Sequence, residues 1–494
     1  MDISTVTTDT DRALRLPRLG VRVKLSTSRS AVIEGLVLLG LLALIFASYS
    51  LHLASAVLPN QDEGTYLYGA KLIAEGQVPY DDFFLGHPPL LMAIFAVPFK
   101  LFGVDVMMAR MIYMTIILLS TIPLYLLVKN LSGSRMAALL SVPLYTTGTL
   151  IVANTTRTVL LEPLMNAFII SAMALYFWRP DSLRVRVAVG ALFGFAFMVK
   201  LVAVLPAICL VGGDLLWRRE DRRYLLSWAV TVAGAALVLL PSAAYLLSQT
   251  DFLHDVVGSQ LDRPGLPFQL RREYFMEEST RYPAIPLALL ASVWLLVRGS
   301  DPRMRVVAVV ALGQVLILFF AFQTFLGFYL VQILPAVAIV FAVVGCEIGQ
   351  RLFKRAWLPV GTACLFVVAG LIPLAYAELY HRYADEHDSS ARAVVRLLQQ
   401  DDGYVYSQMP SFALWSDREL YPWYYAADSY LPRITDRADD DDFIDVFSHS
   451  QALAFWRGEV EYMPRAEVYV NDNFELAYQD EHWELWVRKP QAGD

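Results

Sequence analysis

The stretch LPNQDEGTYLYG, Leu58 to Gly69, sets two adjacent carboxylates, Asp62 and Glu63, about nine residues beyond the first long apolar run of the chain. A run of that length predicts a membrane helix. The pair is therefore expected just outside a span, held near the bilayer surface, where chemistry on a lipid-borne substrate would take place. Neighbouring carboxylates repel, which favours the protonated form of one of them and suits a general base. The structural alternative is a helix start, with Asp62 capping a helix over Gly64–Ala74 and Glu63 favouring its positive end.

Around this stretch, the 494 residues of the chain are 56% hydrophobic and 18% charged, with a mean hydropathy of +0.47. Apolar runs fall at Ala31–Leu53, Met107–Val128, Met136–Val152, Val159–Phe177, Val187–Met198, Leu201–Leu216, Leu225–Leu247, Ala284–Val297, Val306–Phe322, Leu326–Ile348 and Trp357–Ala377. They predict a polytopic α-helical protein of the cell membrane with about 11 spans. Residues 1–30 carry Arg12, Arg15, Arg18, Arg22, Lys24 and Arg29 and read as a cytoplasmic tail before an uncleaved span.

With the N-terminus inside, the turns holding Lys129, Arg184, Arg219, Arg303 and Lys354 all fall on the cytoplasmic side, as the positive-inside rule requires. The run Pro88–Phe102, with two prolines at its start and Lys100 near its end, reads as a helix lying in or re-entering the outer interface. Residues 31–380 then form the membrane domain, with outer loops over 54–106 and 248–283, and residues 381–494 a small extracytoplasmic α/β domain. In that domain Tyr404–Ser407, Glu467–Val470 and Trp483–Arg488 read as strands, Ser390–Gln400 as a helix, and the acid run Asp439–Asp442 as a solvated loop.

From His381 onward 23 acidic residues face 10 basic ones, and the whole chain has 33 Arg against 7 Lys. An acidic, lysine-poor outer domain suits a high-salt exterior, and a GC-rich genome would also favour arginine. Cys209, Cys346 and Cys364 lie far apart in apolar runs, so neither a disulfide framework nor a thiolate metal site is expected. No GxGxxG follows a strand, no phosphate-binding P-loop is present, and the basic residues are spread over turns, which argues against nucleotide and nucleic-acid binding.

Further polar residues fall on the side of the carboxylate pair. GHPPL, Gly86 to Leu90, fixes its backbone with two prolines and holds His87 either as an interfacial polar group or as a ligand for a phosphate or sugar hydroxyl. In ANTTRTVLLEP, Arg157 and Glu162 could pair between helices, or Arg157 could offer its guanidinium fork to a lipid phosphate. Lys200 interrupts FAFMVKLVAVLP at the junction of two apolar runs; an ionisable residue there is expensive, and function is the default against snorkelling to the headgroups. The loop Ser248–Pro283 has the length of a functional lid or acceptor platform. The cluster His381, Asp385, His387, Asp388 fits an exposed linker as well as a metal site.

Taken in order, the DE pair, HPPL, an Arg and an acid about the next outer turn, and Lys200 resemble the GT-C membrane glycosyltransferases, in particular the protein O-mannosyltransferase and aminoarabinose transferase superfamily (glycosyltransferase family 39-like). The late segment FLGFYLVQILPAVAIVFA is similar to that group's proline-broken span, with Tyr329 and Pro335 in matching places, and YSQMPSFALWSDRELYPWYY is like the soluble tails of bacterial and archaeal members. The resemblance implies a GT-C fold, a polyprenyl-phosphate or dolichyl-phosphate sugar donor, and an extracytoplasmic acceptor such as a protein, a lipid-linked glycan or a surface polysaccharide. It implies inversion with Asp62 as base and Glu63 in support. Arg157, Lys200 and His87 would meet the leaving phosphate, with Glu162 and Tyr329 in the substrate site. Gly86 and His87 stand where the aminoarabinose branch has an acid and a lysine, so the mannosyltransferase version is the nearer match. No DxD-like spacing is present in the outer loops 54–106 and 248–283, so no cofactor or divalent metal is expected. A flippase for a lipid-linked glycan and a non-catalytic membrane scaffold are the alternatives.

Overall fold

A computed structural model describes residues 29–50, 61–146, 158–218, 224–249, 251–258, 261, 265–299, 301–322, 327–352, 389–400, 402–421, 440–458 and 460–490. The chain divides into two units, Met1–Leu44 and Ile45–Asp494; the first holds most of the first helix, and the second holds every other described element.

The described helices up to Leu352 are α1 (Arg29–Ser50), α2 (Gln61–Glu75), α3 (Leu90–Phe102), α4 (Val106–Leu119), α5 (Thr121–Ser132), α6 (Arg135–Thr146), α7 (Leu161–Trp178), α8 (Leu183–Val199), α9 (Val204–Arg218), α10 (Tyr224–Leu246), α11 (Phe268–Arg281), α12 (Ala284–Arg298), α13 (Pro302–Phe320) and α14 (Leu334–Leu352), all on apolar runs except α2 and the polar α11, which lies within Ser248–Pro283. Their ends follow local chemistry. Asp105 caps α4 by accepting from the Met108 N–H at 2.9 Å, and Asp301 caps α13 ahead of Pro302 in its first turn. Short 3-10 turns at Leu201–Ala203 and Gly327–Ile333 precede α9 and α14.

Apart from a few end residues, the described part of each of the first ten apolar runs is helical, with Met107–Val128 divided at Ser120 between α4 and α5, and the eleventh, Trp357–Ala377, lies outside the described residues. Length and composition qualify five described helical stretches as full spans, α4 and α5 together being one of them, or six if α11 and α12, bent by 98°, count as one. The expected 11 is thus not reached among the described residues. Pro88–Phe102 yields the 13-residue α3, which is short for a crossing. Large aliphatics on α10 face outward, with Leu225 79% and Leu237 68% exposed. On a helix this apolar, such a surface suits hydrocarbon better than water. Against α8, by contrast, α10 approaches backbone to backbone: a Cβ on Gly190 would overlap the Thr231 carbonyl.

The C-terminal part is a five-stranded mixed sheet in the order β2-β1-β3-β5-β4. Its strands are β1 (Tyr404–Ser407), β2 (Glu419–Leu420), β3 (Ser450–Trp456), β4 (Phe474–Gln479) and β5 (Trp483–Arg488). β1 runs parallel to β2 and β3, while β5 is antiparallel to β3 and β4. The two-residue period of a strand gives the sheet two cores. Tyr406, Leu453 and Phe455 face α17 (Asp440–His449) and α18 (Pro464–Asn473). Val405, Ala452 and Ala454 face a helix at 389–398 (α15) and α16 (Ser411–Ser416).

Three expectations are corrected here. Glu467–Val470 is not a strand but the middle of α18: Ala466 and Val470, four apart, are buried, whereas Val468 is exposed, so the burial period is helical despite the β-branched residues. The acid run is not a loop, since Asp440, Asp441 and Asp442 form the first turn of α17, where the helix dipole favours them. The helix expected from Gly64 begins instead at Gln61, which puts Asp62 and Glu63 inside its first turn.

Candidate functional site

α2 places its two carboxylates in different surroundings. Glu63 points inward and is 1% exposed. Its Oε1 accepts from Arg110 Nε at 2.9 Å and from the Val159 N–H at 3.0 Å, and its Oε2 accepts from Arg110 Nη2 at 2.5 Å. This bidentate, charge-assisted pair satisfies both ions of a buried couple. Asp62 is half-buried. The two carboxylates, adjacent in sequence, therefore differ in burial: Glu63 is enclosed against α4, and Asp62 is half-buried.

The same site receives the ends of a helical hairpin. α7 and α8 are joined by a short turn, so the start of α7 lies beside the end of α8. Glu162 occupies the first turn of α7 and Lys200 the C-cap of α8, so each charge sits at the helix end whose dipole favours it. They form a buried salt bridge. The Lys200 ammonium also lies 4.9 Å from the centre of the Tyr329 ring, which the 3-10 turn before α14 supplies. Asp62 is within electrostatic reach of Lys200. Asn166, one turn beyond Glu162, donates to the Val331 carbonyl at 2.8 Å and fixes that turn against α7.

His87 packs against Tyr66, one turn beyond Asp62 on α2. Its ring meets Tyr66 edge-on at 5.9 Å, and its carbonyl accepts from the Tyr80 hydroxyl at 2.7 Å. Behind GHPPL an apolar cleft opens between α3, α8 and α10, lined by Pro89, Leu90, Ala93, Phe195, Met198 and Leu246. Two of its lining residues, Pro89 and Met198, each stand two residues from a site residue, His87 and Lys200.

The structure thus brings Asp62, Glu162, Lys200 and Tyr329 together and sets His87 against α2. Glu162 takes Lys200 as its partner, and Arg157 lies outside the described residues. Arg110 is the residue that the sequence reading passed over. Its signal was available: an arginine four residues into an apolar run needs a buried acid, and the DE pair offers one. Among the described residues no group of three His, Cys, Asp or Glu is placed to hold a metal ion; His381, Asp385, His387 and Asp388 lie outside them.

Residues 86–246 match the family model described as dolichyl-phosphate-mannose-protein mannosyltransferase. No curated protein sequence matches the chain. Among solved structures, ArnT from Cupriavidus metallidurans in the apo state matches with a TM-score of 0.65 at 14% identity, over 94% of this chain and 100% of that one. Its form bound to undecaprenyl phosphate matches at 0.59 and 15%, with the same coverage. The oligosaccharyltransferase of Archaeoglobus fulgidus matches at 0.53 and 12%, over 92% of this chain and 74% of that one. At such identities the likeness concerns the fold. The chain therefore has the fold of the GT-C membrane glycosyltransferases, and its resemblance to their protein O-mannosyltransferase and aminoarabinose transferase superfamily rests on a family sequence match and a structural match together.

Proposed function

We propose that the protein is an integral-membrane glycosyltransferase that moves a sugar from a polyprenyl-phosphate donor to an extracytoplasmic acceptor, with inversion at the anomeric carbon. The observation that carries this is a half-buried Asp62 within electrostatic reach of the Lys200–Glu162 pair, with an apolar cleft lined by Met198, two residues from Lys200. The cleft between α3, α8 and α10 is of the kind that would take part of an isoprenoid chain, leaving its phosphate near His87 and Lys200. The solved relative ArnT, which has a form bound to undecaprenyl phosphate, supports such a donor.

In the reaction, Asp62 takes the proton of an acceptor hydroxyl as its oxygen attacks the anomeric carbon. The bond from that carbon to the phosphate oxygen breaks in line, and the polyprenyl phosphate leaves with the electron pair. Lys200, with Arg157 and His87, meets the charge that develops on the phosphate. Glu162 and Tyr329 hold the ammonium in place. Glu63 does not touch the acceptor in this scheme: it anchors α2 through Arg110. The N-terminus and the basic turns are cytoplasmic, and the site and α/β domain face outward.

Asp62→Asn keeps the shape and removes the base. In membranes supplied with polyprenyl-phosphate sugar, transfer should fall by about 10²- to 10⁴-fold, with binding of the polyprenyl phosphate retained. Undiminished transfer would overturn the assignment.

A further inference from the structure

The α/β domain does more than stand beside the membrane helices: it seats directly on α2. Gly64, Tyr68 and Lys71 follow one another by four and three residues and so share one helix face. Gly64 meets the start of α16, where a Cβ would lie 2.5 Å from the Ser411 Oγ and in collision with the Ser411 nitrogen. Tyr68, 1% exposed, accepts the Leu420 N–H of β2 at 2.8 Å. Lys71 reaches Glu419 at 3.8 Å. Burial pushes the Tyr68 hydroxyl well above its ordinary range, so it stays neutral at any working pH. A fourth contact reaches the residue that holds the neighbouring Glu63. Arg110, which grips Glu63, carries its guanidinium 5.7 Å from the ring centre of Trp415 in α16.

The first turns of α2 are therefore clamped from two directions. Glu63 is fixed from within by Arg110 and the Val159 N–H. Gly64 is fixed from without by Pro410 and Ser411. Successive residues of a helix differ by about 100° in direction. Two adjacent positions held on separate bodies leave the helix no freedom to turn about its axis. The side chain immediately before them, Asp62, inherits its direction from both clamps.

We infer that α16 of the α/β domain, through Ser411 and Trp415 against Gly64 and Arg110, is a positioning element for Asp62, so that the domain is part of the catalytic unit and not a detachable acceptor-binding module. The inference rests on the reading of Asp62 as the base. It assigns Gly64, Tyr68, Ser411 and Trp415 as positioning residues.

Gly64→Ala tests it in the full-length protein. Alanine is the better helix former, so α2 itself gains, and any loss of activity arises from the displaced α16. We expect kcat to fall by about tenfold or more, the scale set by a misdirected catalytic group. The donor KM should stay within about twofold, because Lys200 and the two groups that hold it, Glu162 and Tyr329, all lie outside α2. Tyr68→Phe deletes one hydrogen-bond acceptor without adding bulk and should lower kcat by about two- to fivefold with the same KM pattern. It decides the matter alone if Gly64→Ala does not fold. A purely structural role would lower thermal stability without separating kcat from donor KM. Asp62→Asn is assayed alongside. Inactive Asp62→Asn with both positioning variants at wild-type kcat overturns the inference and leaves the base intact, whereas active Asp62→Asn overturns the base itself.

Discussion

The two ends of the α7–α8 hairpin carry the same kind of group to different effect. At one end Lys200 pairs with Glu162 under the Tyr329 ring. At the other, about 20 Å along α8, Arg186 is 1% exposed. It lies 4.4 Å from the Tyr176 ring centre and 5.0 Å from that of Trp228, and it donates to the Pro180 carbonyl at 2.8 Å. Asp214 stands 4.0 Å away and accepts from Trp228 Nε1 at 3.0 Å. A cation near the start of α8 opposes the helix dipole, and two aromatic faces and an acid offset that. The Arg186 cluster is enclosed by aromatic packing. The Lys200 cluster sits where each dipole helps, beside a cleft and a half-buried carboxylate. A buried cation in a membrane helix is a functional signal by default, and the contrast shows what must accompany it: an approach for a substrate.

Neutral replacement of each pair turns that contrast into a measurement. Glu162→Gln with Lys200→Met removes two charges together, so neither is left buried alone and stability should change little. Transfer should nevertheless fall by about 10²- to 10³-fold, because the groups that meet the leaving phosphate are gone. Arg186→Met with Asp214→Asn should do the reverse. It loses two cation–π contacts and a hydrogen bond, which together contribute about 1–3 kcal/mol, and transfer per folded molecule should stay near wild type. Thermal unfolding in detergent and a transfer assay on the same preparations report both quantities. Equal loss of transfer in the two double variants would erase the distinction between the ends.

How much of this was legible depends on the range of the interactions. Hydrophobic runs are local, and they located the apolar helices between Arg29 and Leu352, but not the polar α11, which lies in the stretch read as the loop Ser248–Pro283; the strand patterns located β1 and β5 to the residue. Lys200 could be singled out because a charge in an apolar run is visible without a partner, and Tyr329 because its segment resembles the late span of the GT-C group. The partner itself was not visible. Glu63 and Arg110 are 47 residues apart, and Tyr68 and Leu420 are 352 apart; no local pattern encodes such pairings. The same blindness explains α18. Val468, Tyr469 and Val470 have strand propensity, but burial of Ala466 and Val470 on one face outweighs it. The division of the DE pair is the instructive case: its chemistry could be read from two letters, and its separation into an anchor and a half-buried acid required Arg110.

The weakest effect belongs to the brace behind GHPPL, which serves the α2 end alone. Asp255 lies in a π-helical turn, His254–Gly258, and accepts from the Leu85 N–H at 3.4 Å. Phe252 in the same loop packs edge-on against Tyr80 at 5.0 Å, and Tyr80 in turn donates to the His87 carbonyl. Burial pushes the Asp255 carboxyl up to about 6; the Leu85 N–H opposes this, Asp251 adds to it, and the adjacent His254 opposes it again. The folded protein therefore binds this proton more tightly than the unfolded chain does. By linkage the contribution is fully present below the unfolded carboxyl value of about 4 and is lost as pH rises through about 6. Thermal stability should accordingly decline between about pH 4 and about pH 6.5 on this account, by a few degrees at most. Asp255→Asn, which can still accept from Leu85 while carrying no charge, should flatten that decline. The Arg186→Met and Asp214→Asn double variant should keep the wild-type slope, because its cluster lies at the other end of α8. An unchanged slope in Asp255→Asn would show that the carboxyl does not titrate in this range and that the brace holds through Phe252 and Tyr80 alone.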